Sequence, residues 1–233
     1  MFAATAVAHD LEPDIRDHAP AMGRGGRSGI GVATFEDGGF VVDAGHPTAR
    51  FTTRPPDEGD WTVPPVVARH DLPDDWRFLV VVPDVAPGRS GESEERVCVR
   101  SSNAQTLPSR TNSPASSPEN CCQQPRPADS RPSGEAIAEI GRKNGAWYAD
   151  AQGGVFRPPA GELVEALEDC PVLSGIGQSS WGPVVYGVTD RNHGDEAVSA
   201  AEDALSARGL EGEVLLSQAA TSGATIRGGD AEP

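Results

Sequence analysis

A glycine-rich segment near the start of the chain carries side chains that could bind an anion. From Gly23 to Gly31 it reads Gly-Arg-Gly-Gly-Arg-Ser-Gly-Ile-Gly, which places flexible backbone beside two guanidinium groups and a hydroxyl. Backbone amides and arginine side chains commonly bind phosphate and carboxylate groups. Taken alone, the same composition also suits a solvated loop that binds nothing, which is the commoner case. The candidate donors are the side chains of Arg24 and Arg27 and the amides of Gly25, Gly26 and Ser28.

A second segment rich in glycine and serine runs from Ser174 to Gly182. It lies between a helical pattern through Leu163 and Leu167 and a strand pattern that includes Val184. The sequence therefore predicts a loop here, which either makes a tight connection from small residues or lines a bound ligand. The candidate ligand contacts are Ser174, Gly175, Gly177, Gln178, Ser179 and Ser180.

Asp43 and His46 could form an acid–base or metal-contacting pair. A carboxylate three residues before an imidazole can converge with it on one side of a turn. The favoured alternative is a histidine at a strand end whose hydrogen bonds are satisfied inside the protein. No metal site is predicted from the four cysteines, because they show no CxxC pairing and no histidine at ligand spacing.

The composition excludes several classes of partner. The chain has 35 acidic and 19 basic residues and a formal net charge of −16, which repels nucleic acids and anionic membranes. Lys143 is the only lysine, which together with the acidity favours a halophilic protein over an ordinary acidic protein from a GC-rich genome. No apolar run approaches the ~20 residues that span a bilayer, and residues 1–8 lack the basic start of a signal peptide. We therefore expect a soluble, cytoplasmic protein.

The elements that must position these residues are visible as patterns of apolar spacing. Residues 1–21 read as the end of a helix, with Leu11, Ile15 and His18 at helical spacing. Val32–Phe35 and Phe40–Asp43, joined by Glu-Asp-Gly-Gly, predict a β-hairpin. The apolar run from Trp76 to Pro83 predicts a central buried strand.

The last hundred residues alternate between helical and strand patterns. This order predicts an α+β fold with helices on one face of a sheet. The predicted elements are a helix from Gly134 through Trp147, a helix through Leu163 and Leu167, a strand over Gly182–Val188, a helix over Asp195–Arg208 and a strand over Gly212–Ser217.

Residues 98–133 do not fit their surroundings. They contain eight serines, six prolines and three of the four cysteines, with scarcely a large apolar side chain. Their charge is +2, from four arginines against Glu119 and Asp129, whereas the rest of the chain carries 15 − 33 = −18. Such a composition cannot bury enough surface to fold. The segment is either a disordered linker or, as we favour, the product of a local frameshift that is restored near Gly134.

Several stretches of the chain resemble the β-ribofuranosylaminobenzene 5'-phosphate synthases of the GHMP superfamily. The likeness covers about residues 1–97 and 134–233. It rests on Gly23–His46 together with Pro64–Arg69, Trp76–Phe78, Gly91–Arg96 and Ser174–Pro183.

The resemblance implies a GHMP-type α+β fold in three parts. Residues 1–73 would be the end of a ribosomal-S5-like N-terminal domain, and 74–97 with 134–233 a ferredoxin-like C-terminal subdomain, interrupted by the anomalous residues 98–133. Members bind phosphate at a Gly-Leu-Gly-Ser loop at a helix N-terminus, and in the family that loop lies upstream of residues like 1–21. Because this sequence contains no such loop, we expect the chain as given to be inactive.

The resemblance also implies a reaction. Phosphoribosyl pyrophosphate would lose pyrophosphate while a 4-substituted benzoate loses carbon dioxide and gains a C-glycosidic bond, as in methanopterin-type biosynthesis. Mg²⁺ would be expected on the pyrophosphate, and Gln178, Ser179 and Ser180 would donate hydrogen bonds to substrate. The alternatives are an ATP-using GHMP small-molecule kinase and a non-catalytic binding or dimerisation module; a homodimer is compatible with each. The kinases resembled usually carry an aspartate where this chain has Gly31, which favours the synthase.

Overall fold

The computed structural model describes residues 2–12, 14–26, 28–46, 61–89 and 131–227, with only the backbone of 131–133. The chain forms two compact units. The first contains Met1–Leu72 and Ala220–Pro233, and the second contains Pro73–Ala219. That these units correspond to the two domains of the family stays a prediction.

The first unit combines short helices with a two-stranded sheet. The strands pair antiparallel, with Phe40 opposite His70 and a register shift between Val42 and Asp43. The elements are α1 (Phe2–Ala8), α2 (Ile15–His18), a 3-10 turn (Pro20–Met22), α3 (Ile30–Asp37), β1 (Phe40–Asp43) and β2 (Val66–His70).

The predicted hairpin is wrong in its first arm. Val32–Phe35 lie inside α3, which buries Val32 and Ala33, and the strand that pairs with β1 is β2. Gly38 ends the helix at a φ of 66°, and its amide donates to the carbonyl of Thr34. The Gly-Gly pair is therefore a helix end rather than a hairpin turn.

The predicted N-terminal helix is also interrupted. α1 ends at Ala8, Asp10 has a left-handed φ of 56°, and α2 begins only at Ile15. Asp14 caps α2 by accepting a hydrogen bond from the amide of Asp17. Because Leu11 lies outside both helices, the spacing from Leu11 to His18 does not describe one helical face.

Arg69 of β2 ties the end of the chain to the first unit. Its guanidinium donates to the carbonyl oxygens of Asp37 and Gly38 at the end of α3 and to that of Thr221. The amide of Ala224 also donates to the carbonyl of Phe35. The carbonyl groups at the end of α3 have no partner within the helix, and these hydrogen bonds provide one.

The second unit has a four-stranded antiparallel sheet in the order β4-β5-β3-β6. Val80 in the centre of β3 lies opposite Tyr186 of β5 and Leu215 of β6. This order and the alternation with helices are those of a ferredoxin-like split βαβ arrangement, which confirms the predicted α+β class. The elements are β3 (Trp76–Pro83), α4 (Arg131–Trp147), α5 (Ala149–Gln152), α6 (Ala160–Glu168), β4 (Ser174–Gln178), β5 (Val185–Asp190), α7 (Gly194–Ser206) and β6 (Gly212–Ser217).

One face of this sheet packs on α6 and α7. Alternate residues of β3 point to that face, and α6 presents apolar residues at a three-and-four spacing, as an amphipathic helix must. Burying each leucine fully contributes about 1.5–3 kcal/mol to folding. The core consists of Leu79, Val81, Leu163, Val164, Leu167, Ile176, Val185, Ala197 and Ala201 with their neighbours.

Most predicted elements of this unit are confirmed, with three corrections. Strands β3 and β6 have the predicted bounds. α4 begins at Arg131, so the last three residues of the segment 98–133 are helical backbone, and residues 98–130 lie outside the described residues. β5 begins at Val185, three residues after the prediction. Ser174–Gln178 is strand β4 and not a loop, because the segment is the buried neighbour of β5.

Candidate functional site in the glycine segment

The residues Arg24–Gly29, named here the glycine segment, are held from the end of β1. The carboxylate of Asp43 accepts hydrogen bonds from Ser28 Oγ at 3.0 Å and from the amide of Gly29 at 2.6 Å. Its second oxygen accepts from the amide of Gly45 at 3.0 Å. Asp43 therefore binds the protein's own donors directly before α3.

His46 and Trp61 hold the other end of the segment. His46 Nε2 lies 2.8 Å from the carbonyl oxygen of Gly25, and because a carbonyl can only accept, Nε2 carries the proton. The indole N–H of Trp61 donates to the carbonyl of Arg24 over 2.9 Å. Asp43 and His46 thus bind different parts of the segment. The structure supports the alternative of a histidine hydrogen-bonded within the protein, while a catalytic role stays a prediction.

Glycine is required where the segment passes over its support. Gly25 has a φ of 78°, and a methyl group there would lie 2.8 Å from Cγ2 of Val63. At Gly26 a methyl group would lie 3.2 Å from the ring of Trp61. The two glycines therefore allow the backbone to approach these side chains closely.

The segment leaves hydrogen-bond donors for a ligand. Among the described residues, nothing accepts a hydrogen bond from the amides of Gly25 and Gly26, which are only half-buried. The side chain of Arg24 is exposed beside them. The Ser28 hydroxyl, by contrast, donates to Asp43, and Arg27 lies outside the described residues. Of the predicted backbone donors, the amides of Gly25, Gly26 and Ser28 have no acceptor among the described residues, and their contact with a ligand stays a prediction.

The second predicted segment is built differently. Gln178 is 9% exposed, and its side-chain oxygen accepts from the amide of Arg157 at 2.6 Å. Its side-chain nitrogen donates to the carbonyl of Ser180 at 2.8 Å and to Oε1 of Gln152 at 3.2 Å. The amide group is satisfied within the unit, so its geometry supports a structural role, and its predicted contact with substrate stays a prediction.

The small residues beside Gln178 permit close packing. A methyl group at Gly177 would lie 2.8 Å from the hydroxyl of Tyr186, whose pKa is raised by burial. Gly175 has a φ of 62°, and a methyl group there would lie 3.3 Å from the backbone of Gly134 in α4. Ser174 Oγ lies 3.4 Å from the carbonyl of Val188. These contacts match the tight connection that the sequence left as an alternative.

Ser179 and Ser180 are the exposed members of the second segment. Ser180 adopts a left-handed φ of 51°, and its carbonyl accepts from Gln178. Both serines lie in the turn after β4, where the amide of Ser179 donates to the carbonyl of Val184. Of the six predicted ligand contacts, these two side chains are therefore the most accessible to a small molecule.

The described residues do not form a site for a resident metal ion. In the part of the chain that the structure describes, no three His, Cys, Asp or Glu side chains converge. Both oxygens of Asp43 already accept hydrogen bonds from the protein. In the same residues, no helix is long and apolar enough to cross a lipid bilayer.

The sequence did not predict that Trp61 and Val63 pack against the glycine segment. Trp61 and Val63 come from a stretch with no motif of their own. The one usable signal is the tryptophan itself, because the indole N–H of a partly buried Trp usually finds a hydrogen-bond partner, but the sequence does not indicate which residue supplies it.

Comparison with known proteins assigns this chain to a family. The profile described as "GHMP kinases C terminal" matches residues 128–207, so it begins inside the segment 98–133. A beta-ribofuranosylphenol 5'-phosphate synthase from Methanothermobacter thermautotrophicus is 34% identical over 209 residues, which cover 84% of this chain and 59% of that protein. The synthase of the same name from Archaeoglobus fulgidus is 33% identical over 235 residues, covering 96% of this chain and 67% of that protein.

A solved structure gives a weaker likeness. Homoserine kinase from Cytophaga hutchinsonii is 15% identical, with a TM-score of 0.44 over 82% of this chain and 52% of that one. The sequence relatives are longer than this chain, which spans 59% and 67% of their lengths. From their identity over most of the chain, it belongs to the beta-ribofuranosylphenol 5'-phosphate synthase family of the GHMP superfamily.

Proposed function

We propose that this protein acts as a phosphoribosyl-transferring synthase. The bond between C1 of the ribose and the pyrophosphate oxygen breaks, and a carbon–carbon bond forms to the aromatic ring, which loses its carboxyl group as CO₂. The donor is phosphoribosyl pyrophosphate and the acceptor a 4-substituted benzoate. The names of both relatives specify a phenol product, which supports a hydroxyl as the 4-substituent. Methanopterin-type biosynthesis in a halophilic cytoplasm is the proposed setting.

The observation that carries this proposal is the set of backbone amides in the glycine segment that have no acceptor among the described residues. Gly25 and Gly26 directly follow Arg24, which is exposed, and the described residues offer the two amides no acceptor. Unsatisfied, half-buried amides beside an exposed arginine suit a phosphate group. In a chain of net charge −16, such a place is also where an anionic substrate meets least repulsion.

Magnesium enters this proposal as part of the substrate. Mg²⁺ would arrive bound to the pyrophosphate oxygens, since it prefers oxygen ligands and commonly binds through substrate phosphates. The chain's own residues would bind and orient the phosphates. Tight orientation of two reactants is itself a large source of rate enhancement.

The kinase alternative has less support. Gly31 lies exposed in the first turn of α3, with nothing within 4 Å of the place where a side chain would begin. An aspartate would fit there, but the chain has none, so this position offers no group that could accept a proton from a substrate hydroxyl. The two sequence relatives are named as synthases.

Binding and turnover distinguish the synthase from a non-catalytic module. We expect the magnesium complex of phosphoribosyl pyrophosphate to bind in calorimetry, and Arg24→Ala to weaken binding at least about tenfold, as loss of a charge-assisted hydrogen bond does. Arg142→Ala is the matched control, because Arg142 is a half-exposed arginine paired with Glu168 in the second unit.

Release of labelled CO₂ from the carboxyl group of the benzoate, dependent on the phosphoribosyl donor, would establish the synthase. Binding without CO₂ release would favour the binding module, and sedimentation would then show whether that module is a homodimer. ATP consumption with a small alcohol acceptor would establish the kinase. Equal binding by the Arg24 variant and the unchanged protein would refute the proposed site.

A further inference from the structure

The carboxylate of Asp43 occupies the donors at the start of α3. It accepts from Ser28 Oγ and from the amide of Gly29, and α3 begins at the next residue, Ile30. Gly29 has no side chain with which to cap the helix. Free amides and the helix dipole make this end attractive to an anion. The first helical amide, that of Ile30, donates to Ser28 Oγ at 3.2 Å, and the carboxylate of Asp43 in turn binds Ser28 and Gly29 directly before the helix.

This arrangement limits where an external anion can bind. A phosphate at Gly29 would have to displace Asp43 or lie against its negative charge, which opposes binding. Among the described residues, no carboxylate accepts a hydrogen bond from the amides of Gly25 and Gly26, so these two amides do not have this competitor. In the described part of the chain, the donors of Ser28 and Gly29 are thus bound by Asp43, whereas the amides of Gly25 and Gly26 have no acceptor.

We propose that Asp43 is a positioning residue that occupies the start of α3 and so directs a substrate phosphate to Gly25, Gly26 and Arg24. The first part of this proposal is that Asp43 holds Ser28 and Gly29 by hydrogen bonds, here called the hold, and it is independent of the proposed function. The second part, that the directed anion is a substrate phosphate, rests on the proposed function. This role differs from acid–base chemistry, because Asp43 acts through the glycine segment and not on a reacting atom.

Amide exchange measured by NMR on the full chain tests the hold. In Asp43→Ala we expect the Gly29 amide to exchange at least about tenfold faster, as expected for loss of a hydrogen bond to a charged group. Asp37→Ala is the matched control, since Asp37 is an exposed carboxylate at the other end of α3. Asp43→Asn keeps an acceptor oxygen and should give an intermediate rate if the alanine variant fails to fold. Unchanged exchange at Gly29 in both Asp43 variants overturns the proposal.

Titration with inorganic pyrophosphate, followed by NMR, tests whether Asp43 directs an anion to Gly25 and Gly26. In the unchanged protein the Gly25 and Gly26 resonances should move and that of Gly29 should not. In Asp43→Ala the Gly29 resonance should also move, with affinity there raised roughly fivefold, the size of charge effects at a helix N-terminus. Movement of Gly29 in the unchanged protein equal to that of Gly25 overturns the directing role. If none of the three moves, the proposed function fails, while the exchange result still decides the hold.

Discussion

The side-chain oxygen of Gln178 lies 2.6 Å from the backbone nitrogen of Arg157 and accepts its hydrogen bond. This bond joins the end of β4 to the residues that precede α6. Arg157 in turn donates through its guanidinium to the carbonyl of Ala86, after β3. The buried side chain of Gln178 and the Arg157 that it binds thus connect three parts of the second unit. We therefore expect replacement of Gln178 to lower the free energy of unfolding.

We expect Gln178→Ala to lower the free energy of unfolding by about 2–3 kcal/mol. The change removes the acceptor of the Arg157 amide at a half-buried position, and an unsatisfied buried group costs roughly 1–3 kcal/mol. Urea unfolding followed by circular dichroism measures the loss. Ser179→Ala, at the exposed neighbour, should change stability by less than about 0.5 kcal/mol. A stable Gln178→Ala protein that no longer binds substrate would instead place Gln178 at a ligand.

Gly177 should tolerate no larger residue. In Gly177→Ala the new methyl would lie 2.8 Å from the Tyr186 hydroxyl, so strand or ring must shift, and we expect a loss of about 1–3 kcal/mol. Gly31→Ala is the opposite case, since a methyl there meets nothing within 4 Å. In a helix, alanine should stabilise by up to about 0.5–1 kcal/mol. Thermal unfolding of both variants checks the pair, and equal losses would contradict the packing described here.

The elements that the sequence predicts well are those whose own pattern decides them. β3 is an apolar run of eight residues that pairs on both sides, and α6 and α7 have apolar spacings that bury one face whatever else the chain does. The α3 helix is different. Its short Val-Ala-Thr-Phe run followed by two glycines is typical of a hairpin arm, and the contacts that favour a helix come from Asp43 at one end and Arg69 at the other.

Distance along the chain also explains why the sequence could predict only part of the candidate site. The residue types of the glycine segment indicate an anion site, but which amides are available depends on partners far away in sequence. Asp43 is 14 residues from Gly29 and Trp61 is 37 residues from Arg24. No local pattern encodes these contacts, so the sequence could not show that the hydroxyl of Ser28 donates to Asp43; the predicted role of the Ser28 amide stays a prediction.

Asp190 should make stability depend on acid pH. Burial raises the pKa of its carboxyl group, but hydrogen bonds from the His193 ring and from the amides of Asn192 and His193, with the charge on that ring, lower the pKa overall below its ordinary 3.8. A lowered pKa in the folded state gives stability that is present above pH 3.8 and lost as the pH falls through the folded value. Because the pair is well exposed, the gain is modest.

We expect Asp190→Asn to cost about 0.5–1 kcal/mol near pH 7, the size of a helix-capping interaction, and less as the medium becomes strongly acidic. Urea unfolding at neutral and acid pH measures both differences. Asp203→Asn, an exposed carboxylate on the same helix α7, controls for the change in net charge. A loss of equal size at both pH values would show that the asparagine disturbs packing and not a titrating bond.

The ion pair between Arg16 and Glu36 should be worth more than an ordinary surface pair. Arg16 Nε donates to the Glu36 carboxylate at 3.0 Å, and its guanidinium also donates to the carbonyl of Pro64. The two side chains are only 30% and 25% exposed, so solvent screens them less, and a double-mutant cycle with alanine should give about 1 kcal/mol. The pair Arg69 and Asp71, whose aspartate is 70% exposed, should give less than about 0.5 kcal/mol. Since the first pair joins α2 to α3, a coupling no larger than that of the second would mean that α3 is positioned by its two ends alone.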